Sequence, residues 1–342
     1  MTDRLRHALL QQSNACAGLG SPFMAQLCRL LSERLEPDMP LTRRLFDWPG
    51  DLTPNAASVP LRLAGALHAL VLQGHAGLKA VYPPACSDDD SLWQAVLSAL
   101  DTDAAFIDAF IDSPPQTNEV RRAAVLIAAG HWIAARHPLP LVFSELGASA
   151  GLNLNWVRFA LDLGDTRLGP DDAVLTLTPE WRGARPVVSN IRVAERAGVD
   201  LNPIDTTDPA QRLRLLAYLW ADQPHRKALT EAAIAANPPR PARADAIDWL
   251  EPRLAPRAGQ LHLIWSTIAW QYFPAAVQAR GTALIEAAGA RATPEAPLAW
   301  LSYEADGSAP GAGLTLRLWP GDHRIDLGRA DFHGRWIDWR AP

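Results

Sequence analysis

One segment of the chain carries residues whose types and spacing suit ligand binding: Ser144–Asn153, with the sequence SELGASAGLN. The apolar run at 139–145 is typical of a strand, and a helix-compatible stretch follows the segment. Gly147 and Gly151 allow a tight turn and let a ligand approach the backbone closely. Glu145 ends the strand, where open α/β sheets place ligand-contacting side chains. We expect the free N–H groups of the helix behind this turn to face the polar end of a ligand.

Three kinds of site fit this segment. It resembles the acid-x-Gly-x-Gly-x-Gly cofactor loop of class I S-adenosylmethionine-dependent methyltransferases at Glu145, Gly147 and Gly151, with Ala148 inside the loop and Ser149 at the central glycine position. The run GASAG also matches the G-x-S-x-G turn that carries a serine nucleophile. The third possibility is a tight strand-to-helix turn that binds no ligand.

The sequence around the segment favours the methyltransferase-like interpretation. An α/β-hydrolase needs several strands and an oxyanion loop before its nucleophile, whereas the preceding residues show helical periodicity and no H-G-G-G-like run. A dinucleotide fingerprint and a P-loop are both absent from the sequence. Methyltransferase sheets begin with their cofactor loop, and extra helices in front of that loop are a usual addition.

Periodicity along the chain predicts two domains. Apolar residues three and four apart predict helices up to residue 137, separated by connectors rich in proline and aspartate. Beyond the linker at 136–140, short apolar runs alternate with helical stretches, which predicts a mostly parallel sheet covered on both faces. We therefore predict an α/β fold, with an all-α N-terminal domain at 1–137 and a Rossmann-like, methyltransferase-type domain at 138–342.

The second domain contains a predicted insertion at about 162–190. There Val174–Thr178 and Arg185–Ser189 are interpreted as a hairpin around Glu180–Gly183. The C-terminal tail alternates polar and apolar residues and is interpreted as closing strands. These strands are predicted at Ala299–Tyr303, Leu314–Trp319 and Arg335–Trp339.

Further site candidates follow Glu145 in the order that a methyltransferase-like sheet would require. Asp200 ends the next strand and is the best candidate to hold the ribose hydroxyls, with Asp205 as the alternative. Asp245 resembles the acid of the loop beside the adenine. Each of these aspartates could instead cap a helix or a turn, where aspartate is common. Two further groups follow the strand at 261–265: Ser266 is a cofactor candidate, and Trp270 and Tyr272 could border a planar or apolar substrate.

Composition limits the classes of function. The net charge of -5 gives no overall attraction to nucleic acid or to an anionic membrane. The longest apolar stretch is far short of the ~20 residues that span a bilayer. Three cysteines without a C-x-x-C pair indicate reduced thiols, and no residue pair has the spacing of a metal site. We expect a soluble cytoplasmic protein that binds no metal.

The sequence also resembles, over nearly its whole length, a bacterial family catalogued as domain-of-unknown-function family 2332. The resemblance is carried by GSP at 20–22, ALHAL at 66–70, QTNE at 116–119, ELGASAG at 145–151, DLNP at 200–203 and WQY at 270–272. It implies no assigned activity. It does single out Asn118 and Glu119, whose polar groups could reach the amino-acid part of the cofactor, although helix capping explains them equally well.

These observations predict a two-domain, methyltransferase-like protein that binds S-adenosylmethionine and acts on a small molecule. A non-catalytic ligand-binding or scaffold protein on the same fold is the second hypothesis, and a serine hydrolase that uses Ser149 is the third. Nucleic acid and membrane partners are not expected. The methyl acceptor and the oligomeric state are not determined by the sequence.

Overall fold

The computed structural model describes residues 2–53 and 56–341. The chain divides into two compact units: residues 1–117 with 206–228 form the first, and residues 118–205 with 229–342 form the second. The predicted boundary at residue 137 differs from this division because α8 (Ala123–Arg136) belongs to the second unit. This helix is buried on all sides from Ala123 to Ala134, so it needs neighbours on every face.

The first unit is built from helices that pack around one apolar core. Pro22 begins α2 directly after Ser21, which caps the helix by accepting a hydrogen bond from the Met24 N–H. Tyr218 joins the same core although it comes from the returning segment: a Cβ at Gly65 would lie 2.5 Å from its ring. The helices are α1 (Thr2–Gly18), α2 (Pro22–Arg34), α3 (Pro40–Phe46), α4 (Val59–Leu72), α5 (Ala76–Lys79), α6 (Asp89–Thr102), α7 (Ala104–Ile111) and α9 (Pro209–Ala217), while α10 (Pro224–Ala235) contains a boundary between the units.

The second unit is a mixed α/β structure around a large, mostly parallel sheet, as predicted. The order of the strands across this sheet is β5-β12-β11-β10-β9-β8-β1-β6-β7. The strands are β1 (Leu141–Leu146), β5 (Glu180–Gly183), β6 (Val193–Asp200), β7 (Ala242–Arg243), β8 (Leu261–Thr267), β9 (Leu298–Glu304), β10 (Ala312–Trp319), β11 (His323–Ala330) and β12 (Trp336–Trp339). The helices are α8, α11 (Ala246–Leu250) and α12 (Ala275–Gly289), together with short 3-10 helices at Val120–Arg122, Leu152–Arg158, Glu251–Leu254 and Trp270–Tyr272.

The parallel part of the sheet is β7-β6-β1-β8-β9. Counted along the chain, these strands have the order 3-2-1-4-5, so the winding reverses beside β1. Every residue of β1 and of β8 is buried, which explains why their sequences are nearly continuous apolar runs rather than alternating ones. In such sheets, ligands bind outside the carboxyl ends of the strands where the order reverses.

The remaining strands extend the sheet from β9. The strands β10, β11 and β12 follow in antiparallel pairs, and β5 closes this edge by pairing in parallel with β12. Buried residues alternate with partly exposed ones along β10, which is the pattern that predicted this strand from the sequence.

In the insertion at about 162–190, the predicted strand at Val174–Thr178 is confirmed, but the hairpin that pairs it with Arg185–Ser189 is wrong. A separate small sheet forms instead, from β2 (Phe159–Asp162), β3 (Arg167–Leu168) and β4 (Leu175–Leu177), in which β4 runs parallel to β2. The expected turn at Glu180–Gly183 is the strand β5. Residues 185–189 lie outside any strand, and Val187 is 70% exposed, so their apolar pattern has no partner strand to pack on.

Within the described residues, the longest apolar helices fall short of what crossing a membrane requires.

Candidate functional site

The segment singled out from the sequence lies at the carboxyl end of β1, where the strand order reverses. Its turn has three residues in the left-handed region of backbone conformation: Gly147 at φ 73°, Ser149 at φ 52° and Gly151 at φ 71°. Glycine adopts this conformation at little cost, whereas for serine it is uncommon. The turn therefore has an unusual backbone conformation, and it lies at the edge where open α/β sheets in general bind ligands.

The two glycines make room for the protein's own chain. A Cβ on Gly151 would lie 2.4 Å from the carbonyl oxygen of Pro239, and a Cβ on Gly147 would lie 2.5 Å from the Cβ of Ala269. Pro239 thus fills the space on the Cβ side of Gly151, where we expected a ligand to approach the backbone. Because they have no side chain, both glycines leave room for neighbouring loops to pack against the turn.

The N–H groups of the turn are also largely occupied. Those of Gly147 and Ala148 donate to the Val199 carbonyl at 3.0 and 2.9 Å, and that of Leu152 donates to Oδ1 of Asn118 at 3.0 Å. The following segment is a 3-10 helix, Leu152–Arg158, rather than an α-helix. The predicted α-helix is therefore not formed here, and the first N–H group of the 3-10 helix is bonded to Asn118 instead of being free.

Asp200 ends β6, the strand beside β1, and connects the two strand ends. Its Oδ2 accepts the Ser149 N–H at 2.9 Å and its Oδ1 accepts the Asn202 N–H at 2.8 Å. Asp205 lies further along the chain and forms an ion pair with Arg240 at 3.0 Å. Asp200, one of the two ribose candidates, is thus bonded directly to the turn.

Glu145 is the most unusual titratable group at the site. It is 2% exposed, its Oε2 has no hydrogen-bond partner among the residues that the structure describes, and burial raises its pKa to about 8. The Trp265 indole lies beside the carboxyl and partly opposes this rise, although no hydrogen bond of normal geometry joins the two groups. A buried carboxyl with a strongly raised pKa at a strand end is typical of functional sites.

Further buried polar atoms of this region lack a hydrogen-bond partner among the described residues, including the Ser149 hydroxyl and Oδ1 of Asn153. Most buried polar groups in proteins are hydrogen-bonded, so groups of unpaired ones call for an explanation, of which a bound ligand is one. The Ser149 side chain is 5% exposed, and no histidine that the structure describes bonds to it. This geometry lacks the base that a serine nucleophile needs.

Asn118 and Glu119, which we expected either to reach the cofactor or to cap a helix, lie against the turn and bond to it. The Glu119 carbonyl accepts a hydrogen bond from Nδ2 of Asn153 at 3.2 Å, and its buried carboxylate forms an ion pair with Arg121 at 3.0 Å. The Asn118 side chain and the Glu119 carbonyl therefore fix the start of the 3-10 helix at Leu152.

The segment after β8 is held by a residue that sequence reasoning missed. The buried Glu304, at the end of β9, accepts the N–H groups of Ala269 and Trp270 at 3.1 Å and that of Gln271 at 3.4 Å. Burial raises the pKa of Glu304, and the hydrogen bonds from these N–H groups oppose that rise. No local pattern in the sequence marks Glu304, because its role depends on the pairing of β8 with β9.

The remaining candidates divide between structural and exposed positions. Asp245 caps α11, since its Oδ1 accepts the N–H groups of Ile247 and Asp248 at 2.9 and 3.1 Å. Trp270 packs against Trp300, with ring centroids 5.4 Å apart. Tyr272, by contrast, is 60% exposed.

A serine and a histidine do meet elsewhere in the sheet. Ser144 Oγ lies 2.8 Å from Nε2 of His262 and accepts a 3.1 Å hydrogen bond from Nε of Arg253. Burial and the charges of Arg253 and Arg257 lower the pKa of His262 to about 3. Adjacent strand residues point to opposite faces, so this network lies on the other side of β1 from Glu145. It is inaccessible, because Ser144 is completely buried.

No group of His, Cys, Asp and Glu side chains in the described part of the chain is arranged to bind a metal ion.

The fold and the turn define a mixed α/β protein on a large, mostly parallel sheet. The chain belongs to the family described as an uncharacterized protein conserved in bacteria (DUF2332), whose sequence model matches residues 6–339. No curated protein and no solved structure matches the chain. The family brings no assigned activity, so the function has to be inferred from the geometry of the second unit.

Proposed function

We propose that the second unit binds S-adenosylmethionine at the carboxyl ends of β1 and β6, and that the protein is a methyltransferase-like enzyme acting on a small molecule. The proposal rests on one relationship above all: Asp200 lies at the end of β6 and bonds to the turn after β1, beside the buried Glu145. The 3-2-1-4-5 order of the parallel strands supports it, because Rossmann-like sheets bind nucleotide cofactors where this order reverses.

Different residues at this site would contact different parts of the cofactor. Asp200 would accept hydrogen bonds from the ribose hydroxyls, and the turn from Glu145 to Ser149 would face the amino-acid end. Ser266 and Asp245 lie at the neighbouring strand and helix ends, where they would border the cofactor. Asn118 and Glu119 would act indirectly, because they fix the turn rather than face outward.

S-adenosylmethionine supplies an electrophilic methyl group when it is bound. The protein's task is then to align an acceptor with that group and to exclude water, and alignment alone can supply a large part of the rate enhancement. Tyr272 follows β8 and Leu201 follows β6, so the two flank the end of β1, and both are exposed, at 60% and 67%. Exposed apolar groups at these positions suit an acceptor with an apolar part.

A second function, non-catalytic ligand binding or scaffolding on the same fold, is favoured by a specific observation. The space next to Gly147 and Gly151 is filled by Ala269 and Pro239, and the N–H groups of Gly147, Ala148 and Leu152 are bonded within the protein. A loop packed in this way can connect strands without a cofactor.

Calorimetric titration of the wild-type protein with S-adenosylmethionine and S-adenosylhomocysteine distinguishes the two functions. We expect saturable binding of both compounds, with ATP as a control that shares the adenosine but has a triphosphate in place of the amino-acid part. Absence of saturable binding at millimolar concentration would overturn the methyltransferase proposal in favour of the non-catalytic one. Binding of ATP with equal affinity would assign the site to nucleotides in general.

A further inference from the structure

The second unit has a cavity of about 560 Å³ along β6, away from the end of the strand that carries Asp200. Four consecutive residues of β6, Val193 to Arg196, line it, so it follows the edge of the strand rather than one face of the sheet. This outer edge is open because β7 pairs only with Val199 and Asp200. The volume lies within the range of small-molecule sites.

Two arginines, Arg158 and Arg196, line this cavity, and a short chain of hydrogen bonds links their side chains. Arg158 donates from Nη1 to the Ala236 carbonyl at 2.8 Å, and Nδ2 of Asn155 donates to the same carbonyl at 3.2 Å. Arg196 in turn donates from Nη1 to Oδ1 of Asn155. Asn155 and Arg158 are three residues apart in a 3-10 helix, where such side chains lie on the same side. The shared contacts therefore orient the two guanidinium groups toward one region.

Neither guanidinium is neutralised within the described part of the protein. Arg158 and Arg196 form no ion pair there, although most arginines in this unit do. Burial lowers the pKa of Arg196, and the charge of Arg158 adds to this effect, so the two cations repel each other. Placing like charges together without a counterion costs free energy, which a bound anion would recover.

The one acid that lines the cavity is already engaged. Glu195 forms ion pairs with Arg253 and Arg257, and the contact with Arg257 is the main reason that its pKa lies below the usual range. The single negative charge of Glu195 is therefore already paired with the guanidinium groups of Arg253 and Arg257. The positive charges of Arg158 and Arg196 remain in excess.

We propose that this cavity binds the phosphate group of a small phosphomonoester that carries an apolar substituent. A phosphomonoester has a charge of about -1.5 to -2 at pH 7, which matches the two guanidinium charges better than a carboxylate does. Guanidinium groups bind phosphate oxygens in a fixed fork geometry. Val157, Ile191, Val193 and Pro239 line the rest of the cavity and provide apolar contact for the substituent. The proposal is independent of S-adenosylmethionine binding.

The test uses phenyl phosphate as the probe, titrated calorimetrically into the full-length protein at low ionic strength in a phosphate-free buffer. Arg158→Gln and Arg196→Gln should each weaken binding about tenfold or more, the order expected for one lost charge-assisted hydrogen bond. Arg291→Gln is the matched control, because Arg291 is also an exposed arginine that bonds to a backbone carbonyl, at 2.8 Å, without an ion pair among the described residues. It should leave the affinity within about twofold.

A further variant and a second ligand test whether binding depends on the charge of the cavity and of the ligand. Ala194→Glu places a carboxylate in the cavity at an exposed position without removing either arginine, and it should abolish binding while the melting temperature of the free protein stays unchanged. Benzoate should bind at least about tenfold more weakly than phenyl phosphate, since it carries one negative charge. The proposal is overturned if phenyl phosphate shows no saturable binding, if Arg291→Gln weakens it as much as the cavity variants do, or if benzoate binds equally well.

Discussion

The backbone N–H of Ser149 donates a 2.9 Å hydrogen bond to Oδ2 of Asp200. This contact joins the turn after β1 to the end of β6, and the other oxygen of Asp200 holds the Asn202 N–H at 2.8 Å. Asp200 therefore has a structural role whether or not a cofactor binds. An experiment at this residue must measure stability and ligand affinity separately.

We expect Asp200→Asn to lower the free energy of unfolding by about 1–3 kcal/mol, because an amide has one acceptor oxygen and cannot accept both N–H groups. S-adenosylmethionine affinity should fall about tenfold if Asp200 also binds the ribose. Asp205→Asn is the control: its partner Arg240 is 69% exposed, and exposed ion pairs contribute at most about 1 kcal/mol. Urea denaturation and calorimetry give the two quantities. An unchanged affinity in Asp200→Asn would remove the ribose role.

The packing of Gly151 is tested by a pair of glycine variants. Both Gly151 and Gly164 have a left-handed backbone, at φ 71° and 85°, but a Cβ meets the Pro239 carbonyl only at Gly151 and meets nothing within 4 Å at Gly164. Gly164→Ala should cost about 1–2 kcal/mol from backbone strain, and Gly151→Ala about 1–3 kcal/mol more from the clash. Equal costs in thermal or urea unfolding would mean that the loop at Pro239 moves freely.

The sheet was predictable where burial leaves a local signal. β1 and β8 are central parallel strands buried on both faces, so their apolar runs stand out from the surrounding sequence. β11 was missed, because its residues His323–Asp326 are largely exposed and polar. The pairing of β5 with β12 joins Glu180 to Trp336, and no local pattern encodes a contact so distant in sequence.

The residues of the candidate site, like the strands, could be predicted from the sequence only in part. Asp200 is a candidate from the sequence because it ends the strand that follows Glu145 in the sheet, and strand ends in parallel sheets share an edge. The roles of Gly151 and Glu304 could not, since they depend on Pro239 and on the segment after β8, which only the fold brings near. Glycine in a turn indicates close approach, but the sequence does not say whether a ligand or the chain itself approaches.

The role of Glu304 in holding the segment after β8 can be tested directly. Its carboxylate accepts three N–H groups between Ala269 and Gln271, so Glu304→Gln would direct an NH₂ group at N–H donors. We expect a loss of about 1–3 kcal/mol in unfolding free energy. Glu295→Gln, at an exposed position, should change it by less than about 0.5 kcal/mol. Equal effects of the two variants would show that Glu304 does not hold this segment.

The two serines of β1 and its turn should behave differently. Ser144→Ala removes a hydroxyl that bridges His262 and Arg253, and should cost about 1–3 kcal/mol. Ser149→Ala removes a hydroxyl that bonds to no described residue, and it should change stability by less than about 0.5 kcal/mol. Neither serine should react with a fluorophosphonate, which intact-mass spectrometry detects. Covalent labelling of Ser149 would revive the hydrolase hypothesis.

The last prediction concerns the pH dependence of stability at Glu145. Its pKa is about 8 in the folded protein against an ordinary value of 4.5, so between these values the folded state holds a proton that the unfolded state has lost. Stability therefore falls as pH rises, by at most about 1.4 kcal/mol per pH unit from this group. Burial also raises the pKa of Glu304, which acts in the same direction.

His131 and His262 oppose this trend at lower pH. Their folded pKa values of about 4 and 3 lie below the ordinary 6.5, so their contribution is lost as pH falls below 6.5. The window from pH 6.5 to 8 thus isolates the carboxyls. Urea denaturation across this window should show wild-type stability declining, while Glu145→Gln, which is neutral throughout, declines less. The exposed Glu180→Gln should follow the wild type. Parallel slopes for wild type and Glu145→Gln would show that Glu145 is ionised in the folded protein, and that its carboxylate has a partner in solution.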